Sequence, residues 1–269
     1  MRGLKTRIIS SVIGIPILIA LVILGKLPLQ IAVSFFSLIG IYEFYKALNK
    51  DIKKINSIGY IFTLIFVNSL LNMNSNKLFI FISLFIVALL IAMIAESSKY
   101  NIVDVCVTFL GFFYVTFLLS HVLLVRQQHN GYIYVWLIFI TAWGSDTGAY
   151  FTGKAIGKNK LAPNLSPNKT IEGSLGGIAL SAILCVIYGI FMDKIFDVKI
   201  DYLVINFAII GIVGSILGQI GDLTASAIKR YTGIKDYGNF IPGHGGVLDR
   251  FDSILFTAPL VYYLVMILK

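Results

Sequence analysis

The chain has 269 residues, of which 58% are hydrophobic and only 13% charged, with a mean hydropathy of +0.88. Soluble globular domains run near one quarter charged, so that class is excluded. The formal charge of +9 requires no nucleic-acid partner, since membrane orientation and attraction to anionic headgroups account for it.

Apolar stretches of about 17–25 residues, the length that crosses a hydrocarbon core of roughly 30 Å, recur along the whole chain. The expected fold is all-α: a polytopic helical integral membrane protein with about nine transmembrane helices. It reads as a single membrane domain over 1–269, apolar and helical over 1–130 and motif-bearing over 131–269. Candidate spans lie near 8–25, 28–48, 58–73, 78–95, 103–125, 132–152, 173–192, 203–228 and 251–268, the third being the shortest. The first follows Arg2, Lys5 and Arg7, carries Pro16 centrally and meets Lys26 without a small-residue cleavage site; it is read as a retained anchor.

Nine spans place sixteen of the 22 Lys and Arg residues on the side of the N-terminus. Lys26, Lys77, Arg126, Lys194, Lys199 and Lys269 fall on the other. The positive-inside bias therefore puts the N-terminus in the cytosol. With it go Lys46, Lys50, Lys53, Lys54 and Lys99, and both charge-rich loops, 153–172 and 229–250.

Residues 1–130 hold few intramembrane polar groups. Glu43 and Glu96, at or near cytosolic helix ends, read as solvated carboxylates. Phe35, Phe36, Tyr42, Phe44 and Tyr45 read as packing and interface belt. Cys106 and Cys185 sit in apolar runs without a ligand pattern and read as buried small hydrophobes.

From 131 onward the helices become polar at their cytosolic ends. Asp146, Tyr150 and Lys154 fall at i, i+4 and i+8 of one helical face. A carboxylate at the bilayer centre costs about 2.5–3.5 kcal/mol on insertion scales, so Asp146 needs either a partner such as Lys154 or a function. The next loop, stiffened by Pro163 and Pro167, offers Ser166, Lys169 and Thr170 as phosphate contacts, or is a plain interhelical connection. In the eighth span Gly211, Ser215, Gly218 and Asp222 form one stripe at i, i+4, i+7 and i+11. Small residues so spaced let membrane helices approach closely, which explains the glycines but not Asp222.

Residues 222–252 concentrate Asp222, Lys229, Arg230, Lys235, Asp236, His244, Asp249, Arg250 and Asp252. Asp222 closes the eighth span while Asp249 and Asp252 open the ninth, so antiparallel neighbours would let the carboxylates converge on Mg²⁺, a hard cation that takes oxygen ligands. Lys229, Arg230, Lys235 and Arg250 can neutralise phosphate oxygens. Gly243, Gly245 and Gly246 permit positive φ and a backbone N–H cradle for an anion. The bland alternatives are an N-cap for Asp249, a helix-dipole partner for Asp252 and orientation signals for the cations. Metal, cations and cradle together are the parts of phosphoryl or nucleotidyl transfer.

Ser226-Ala-Ile-Lys229-Arg230, Lys235-Asp236, Gly238, Ile241-Pro-Gly-His244-Gly-Gly246 and Asp249-Arg250-Phe-Asp252 resemble the motif of the phosphatidate cytidylyltransferase (CDP-diacylglycerol synthase) family. The segment from Trp143 to Lys154, and Ser166-Pro-Asn-Lys169-Thr170 before Glu172-Gly173, agree with it. The chain departs at Ala225, where many relatives carry Glu, and at Ile171, where many carry Trp.

The resemblance implies Mg²⁺-dependent transfer of CMP from CTP to phosphatidate, with the question of a second cation left open. It implies Asp222, Asp249, Lys229 and Arg250 as catalytic, and Asp222, Asp249, Asp146 and Asp252 at the metal. Ser166, Lys169, Thr170, Ser226, Arg230, Lys235, His244, Gly245 and Gly246 would bind substrate. The expected partners are CTP, phosphatidate and the lipid bilayer, with no nucleic acid; a homo-oligomer is left open. The expected location is a bacterial plasma membrane, with the site facing the cytoplasm. A CTP-using lipid kinase, another CTP-dependent lipid transferase and a cation-coupled transporter using Asp146 and Asp222 are the competing readings.

Overall fold

The computed structural model describes residues 2–48, 53–196 and 202–268; Lys50, Lys199 and Lys269, three of the orienting cations, lie outside them. The described chain runs α1 (Arg2–Leu24), α2 (Lys26–Ala47), α3 (Asn56–Ser69), α4 (Ser75–Ala95), α5 (Ile102–Gly111) and α6 (Leu118–Gln127). A π-helical turn, Phe112–Phe117, makes α5 and α6 continuous. Then follow α7 (Gly131–Ile156), a hairpin of β1 (Lys160–Ala162) and β2 (Ser166–Thr170), α8 (Ile171–Phe196), α9 (Leu203–Thr232) and α10 (Leu248–Ile267).

This is an all-α polytopic membrane protein. Six stretches are long and apolar enough to cross a membrane: α2, α4, the continuous Ile102–Gln127, Ile171–Ile195 of α8, α9 and α10. The other three expected spans are helical but fall short in one respect. In α1 the apolar part is only Ile8–Leu24. The 14 residues of α3 rise about 21 Å at 1.5 Å each, less than the roughly 30 Å of a hydrocarbon core. The 26-residue α7 is long enough, but Asp146, Lys154 and several Gly, Ser and Thr dilute its C-terminal half. Outward faces are apolar as lipid requires: on α4, Phe79, Ile91 and Ile94 are 69%, 60% and 71% exposed.

The chain divides into two compact units, Met1–Leu123 with Thr232–Arg250, and Leu124–Tyr231 with Phe251–Lys269. The first is built around aromatic packing, with Phe66 and Phe81 at 5.2 Å and Phe85 and Phe112 at 4.8 Å between ring centroids. Phe44 and Tyr45 are buried there, and the Tyr45 hydroxyl donates to the Thr108 carbonyl at 2.9 Å. Phe35 and Tyr42 are exposed, as the belt reading expects.

In the second unit, glycines bring α7 and α8 nearly into backbone contact. A Cβ on Gly148 would lie 2.6 Å from the Gly176 carbonyl oxygen, and one on Gly177 2.7 Å from that of Ser145. The expected α9 stripe is a packing device as well: a Cβ on Gly211 would meet Ala182 Cα at 2.7 Å, and one on Gly218 would meet Thr257 at 3.1 Å. Cys185 is buried beside Thr141, whereas Cys106, expected to be buried, is exposed on the outer face of α5.

Residues 159–171, read from sequence as an irregular connection, form an antiparallel hairpin. Lys160 pairs with Thr170 and Ala162 with Ser166. Pro163 and Asn164 occupy its turn, where Leu165 N–H donates to the Ala162 carbonyl at 3.1 Å. Glu172 secures its base by accepting from the N–H groups of Lys158 (3.0 Å) and Asn159 (3.2 Å) and from the Asn159 amide (2.8 Å).

Candidate active site

In the second unit, the polar ends of α7, α8 and α9 and the hairpin surround a cavity of about 290 Å³. Asp146 and Tyr150 of α7, Asn168, Lys169 and Thr170 of β2, Ser174 of α8, and Gln219 and Asp222 of α9 line it. Small-molecule pockets begin near this size, at about 300 Å³.

The dominant feature is an ion pair between Lys169 Nζ and Asp222 Oδ2, each side chain just over one quarter exposed. Lys169 reaches it because β2 carries the residue up over the end of α9, and the hairpin is held there by Arg230, whose Nε donates to the Leu165 carbonyl at 3.3 Å. Asp252, in the first turns of α10, faces Asp222, Asp146 and Lys229 electrostatically. A close helix contact allows this, since a Cβ on Gly221 would touch the ring of Phe256 at 2.9 Å.

The three carboxylates expected at the metal in this unit, Asp146, Asp222 and Asp252, are therefore mutual neighbours, with Lys169 and Lys229 among them. Among the described residues, no three His, Cys, Asp or Glu side chains form a ready-made metal cage. That donor set suits Mg²⁺, which is held through one or two carboxylates and completes its shell with water and substrate phosphates.

Beneath the cavity lies a polar network that sequence reading missed. Ser215 Oγ donates to Ser145 Oγ at 2.7 Å, Ser174 Oγ donates to Gln219 Oε1 at 2.5 Å, and Gln219 Nε2 donates to the Ser174 carbonyl at 3.2 Å. The available signal was Gln219, an amide inside an apolar span.

Other expected substrate contacts have structural partners. Thr170 is buried and its hydroxyl accepts from Gly173 N–H at 3.1 Å, capping α8. Ser226 Oγ lies 3.5 Å from Asp222 Oδ1, and Ser166 starts β2. Lys154 lies 5.9 Å above the Tyr150 ring, a cation–π contact along the face predicted from their spacing.

The first unit holds Lys235 through Arg250. Lys235 and Asp236 are exposed. Gly243 and Gly245 take φ of 79° and 88°, as a tight turn requires, and Ile241 N–H closes it on the Gly245 carbonyl at 2.9 Å. Arg250 Nε donates to the His244 carbonyl at 2.8 Å, and His244 Nε2 lies 3.4 Å from Ser11 Oγ.

The N–H cradle expected for a substrate anion is present after this turn, and it receives the protein's own carboxylates. Asp249 Oδ2 accepts from Gly246 (3.0 Å) and Tyr237 (2.8 Å); Glu43 accepts from Val247 (3.0 Å) and Leu248 (2.9 Å). Glu43 is 2% exposed, so its reading as a solvated helix-end carboxylate is corrected. The apolar neighbours Phe44 and Tyr45 were the signal that this stretch of α2 is inside. Glu96, by contrast, is solvated and paired with Lys99 at 2.8 Å.

A model described as the cytidylyltransferase family matches residues 5–268. A phosphatidate cytidylyltransferase of Bacillus subtilis is 34% identical over 273 residues, covering 98% of each chain. One from Staphylococcus haemolyticus is 32% identical over 98% of this chain and 99% of its own length. One from Staphylococcus saprophyticus is 38% identical over 64% of each chain. With a match that runs almost end to end and a site of carboxylates and cations beside a polar cavity, the chain belongs to the cytidylyltransferase family.

Proposed function

We propose that the protein is a phosphatidate cytidylyltransferase: it transfers CMP from CTP to phosphatidate, giving CDP-diacylglycerol and pyrophosphate at the cytoplasmic face of a bacterial plasma membrane. The observation that carries the reading is the cavity in which Lys169 and Asp222 are paired beside Asp146. A cation and carboxylates at the polar end of membrane helices suit a phosphate-bearing substrate with a lipid tail.

In the reaction, a phosphate oxygen of phosphatidate attacks the α-phosphorus of CTP. The bond from that phosphorus to the oxygen bridging it to the β-phosphate breaks, and pyrophosphate leaves with its electron pair. The attacking oxygen is already anionic near neutral pH, so the chain need supply no strong base. Positioning and charge neutralisation carry most of the catalysis.

One or two of Asp146, Asp222 and Asp252 would hold Mg²⁺, with water and substrate phosphates completing its shell, and the motif adds Asp249 to the candidates. When bound, the ion supplies charge neutralisation on the phosphates. Lys169 exchanges Asp222 for a substrate phosphate, and Lys229, Arg230, Lys235 and Arg250 bind phosphate oxygens. Ser166, Thr170, Ser226, His244, Gly245 and Gly246 shape the ground around them. The bias of cations toward the side of the N-terminus supports the cytoplasmic orientation.

The test is purified protein in detergent with cytosine-labelled CTP, phosphatidate and Mg²⁺. Label in a CDP-lipid, with stoichiometric pyrophosphate, is the expected result. Free CDP with a newly phosphorylated lipid would mean a kinase, and no turnover by folded protein would remove the assignment.

A further inference from the structure

Glu43 lies on α2, 204 residues before Val247, and both of its carboxylate oxygens are used. Oε1 accepts from Val247 and Oε2 from Leu248, the residues at which α10 begins. The carboxylate thus caps the N-terminus of α10 from another helix, satisfying donors that the helix cannot satisfy internally. One turn earlier on α2, Gly40 leaves room for Val115 first, whose Cγ1 would lie 2.7 Å from a Cβ there, and then for Leu248, whose Cδ2 would lie at 3.3 Å.

Two glycines of the motif are explained by this carboxylate. A Cβ on Gly246 would sit 2.6 Å from both Glu43 oxygens, and one on Gly238 would collide with Oε1. Neither residue has positive φ, so conformational freedom does not account for them. Asp249 completes the arrangement from its own helix by accepting from Gly246 and Tyr237. The charged groups facing Glu43 are Asp249 and Lys46.

We infer that Glu43 is a positioning residue for the reaction: its carboxylate fixes the turn from which His244, Asp249 and Arg250 project. This rests on the function proposed above. The carboxylate touches none of the proposed substrate groups itself; it acts through the backbone of Val247 and Leu248. Glutamine in its place keeps the shape but turns an N–H₂ toward an N–H donor, which breaks one of the two bonds and leaves that buried donor unsatisfied.

The test uses the full chain in detergent, comparing wild type with Glu43→Gln and Gly246→Ala. Hydrogen–deuterium exchange should rise by about tenfold or more across Gly246–Leu248 in both variants, the factor that loss of a charge-assisted hydrogen bond allows. In the same preparations kcat should fall by about tenfold or more, with KM for CTP changed less than about threefold. A purely structural role predicts less folded protein with unchanged kcat in what survives. Unchanged exchange at Gly246–Leu248 in Glu43→Gln, or raised exchange with intact kcat, overturns the inference. If wild type forms no CDP-lipid while Glu43→Gln still loosens the turn, the reaction assignment falls and the clamp stands.

Discussion

Lys169 and Asp222 lie 53 positions apart in sequence and form an ion pair in the wall of the cavity. Each neutralises a charge that the other would otherwise expose at the polar end of membrane helices. In the proposed reaction the pair would separate, a phosphate taking the lysine and a divalent cation the aspartate. This makes it the first place to test the chemistry.

Asp222→Asn should lower kcat/KM by about a hundredfold or more, the order seen when a preorganised charged or polar group is removed from an active site. Lys169→Met should do the same. If the residues act as a unit, the double variant loses little beyond either single one. Labelled CTP turned over into CDP-lipid measures all three, and additive losses would separate the two roles.

Chelation by EDTA should abolish CDP-lipid formation, and added Mg²⁺ should restore it. Asp252→Asn should raise the Mg²⁺ concentration needed for half-maximal rate, since its carboxylate faces Asp222 and Asp146. Full turnover in EDTA would remove the metal from the mechanism.

Gly148→Leu should destabilise the second unit, because a Cβ alone would press within 2.6 Å of the Gly176 carbonyl and 2.8 Å of Leu180. Overpacking costs typically about 1–3 kcal/mol, and backbone against backbone has little freedom to yield. A drop in the detergent melting temperature, read by loss of the monodisperse elution peak, checks this. Gly14→Leu, where nothing lies within 4 Å, is the control and should leave it unchanged.

Gln219→Leu should lower the melting temperature by removing the partner of Ser174 and leaving a half-buried hydroxyl without it. The loss expected for an unsatisfied polar group is about 1–3 kcal/mol. Because Gln219 also lines the cavity, a parallel change in KM for CTP would show that the network shapes the binding surface.

Much of the architecture was legible because it depends on local composition. Apolar runs long enough for a bilayer announce membrane helices, and small residues at helical spacing on α9 announce close packing. The hairpin over 160–170 was not legible, since its register comes from Glu172 and Arg230 holding it in place rather than from alternating hydrophobicity. The meeting of Asp222 with Asp252 is expected from antiparallel spans, whereas Asp146 joins them only through the helix contacts.

Sequence alone determined the membrane class, the positions of most helices and the segments where charge concentrates, since hydropathy and charge are properties of residues taken one at a time. Tertiary structure decided which groups those charges meet. It gave Lys169 to Asp222, and it filled the glycine-rich cradle with Glu43 and Asp249. Glu43 shows the reason most clearly: a carboxylate near a helix end is solvated or buried according to what packs on it, and the chain that packs on it here lies about two hundred residues away.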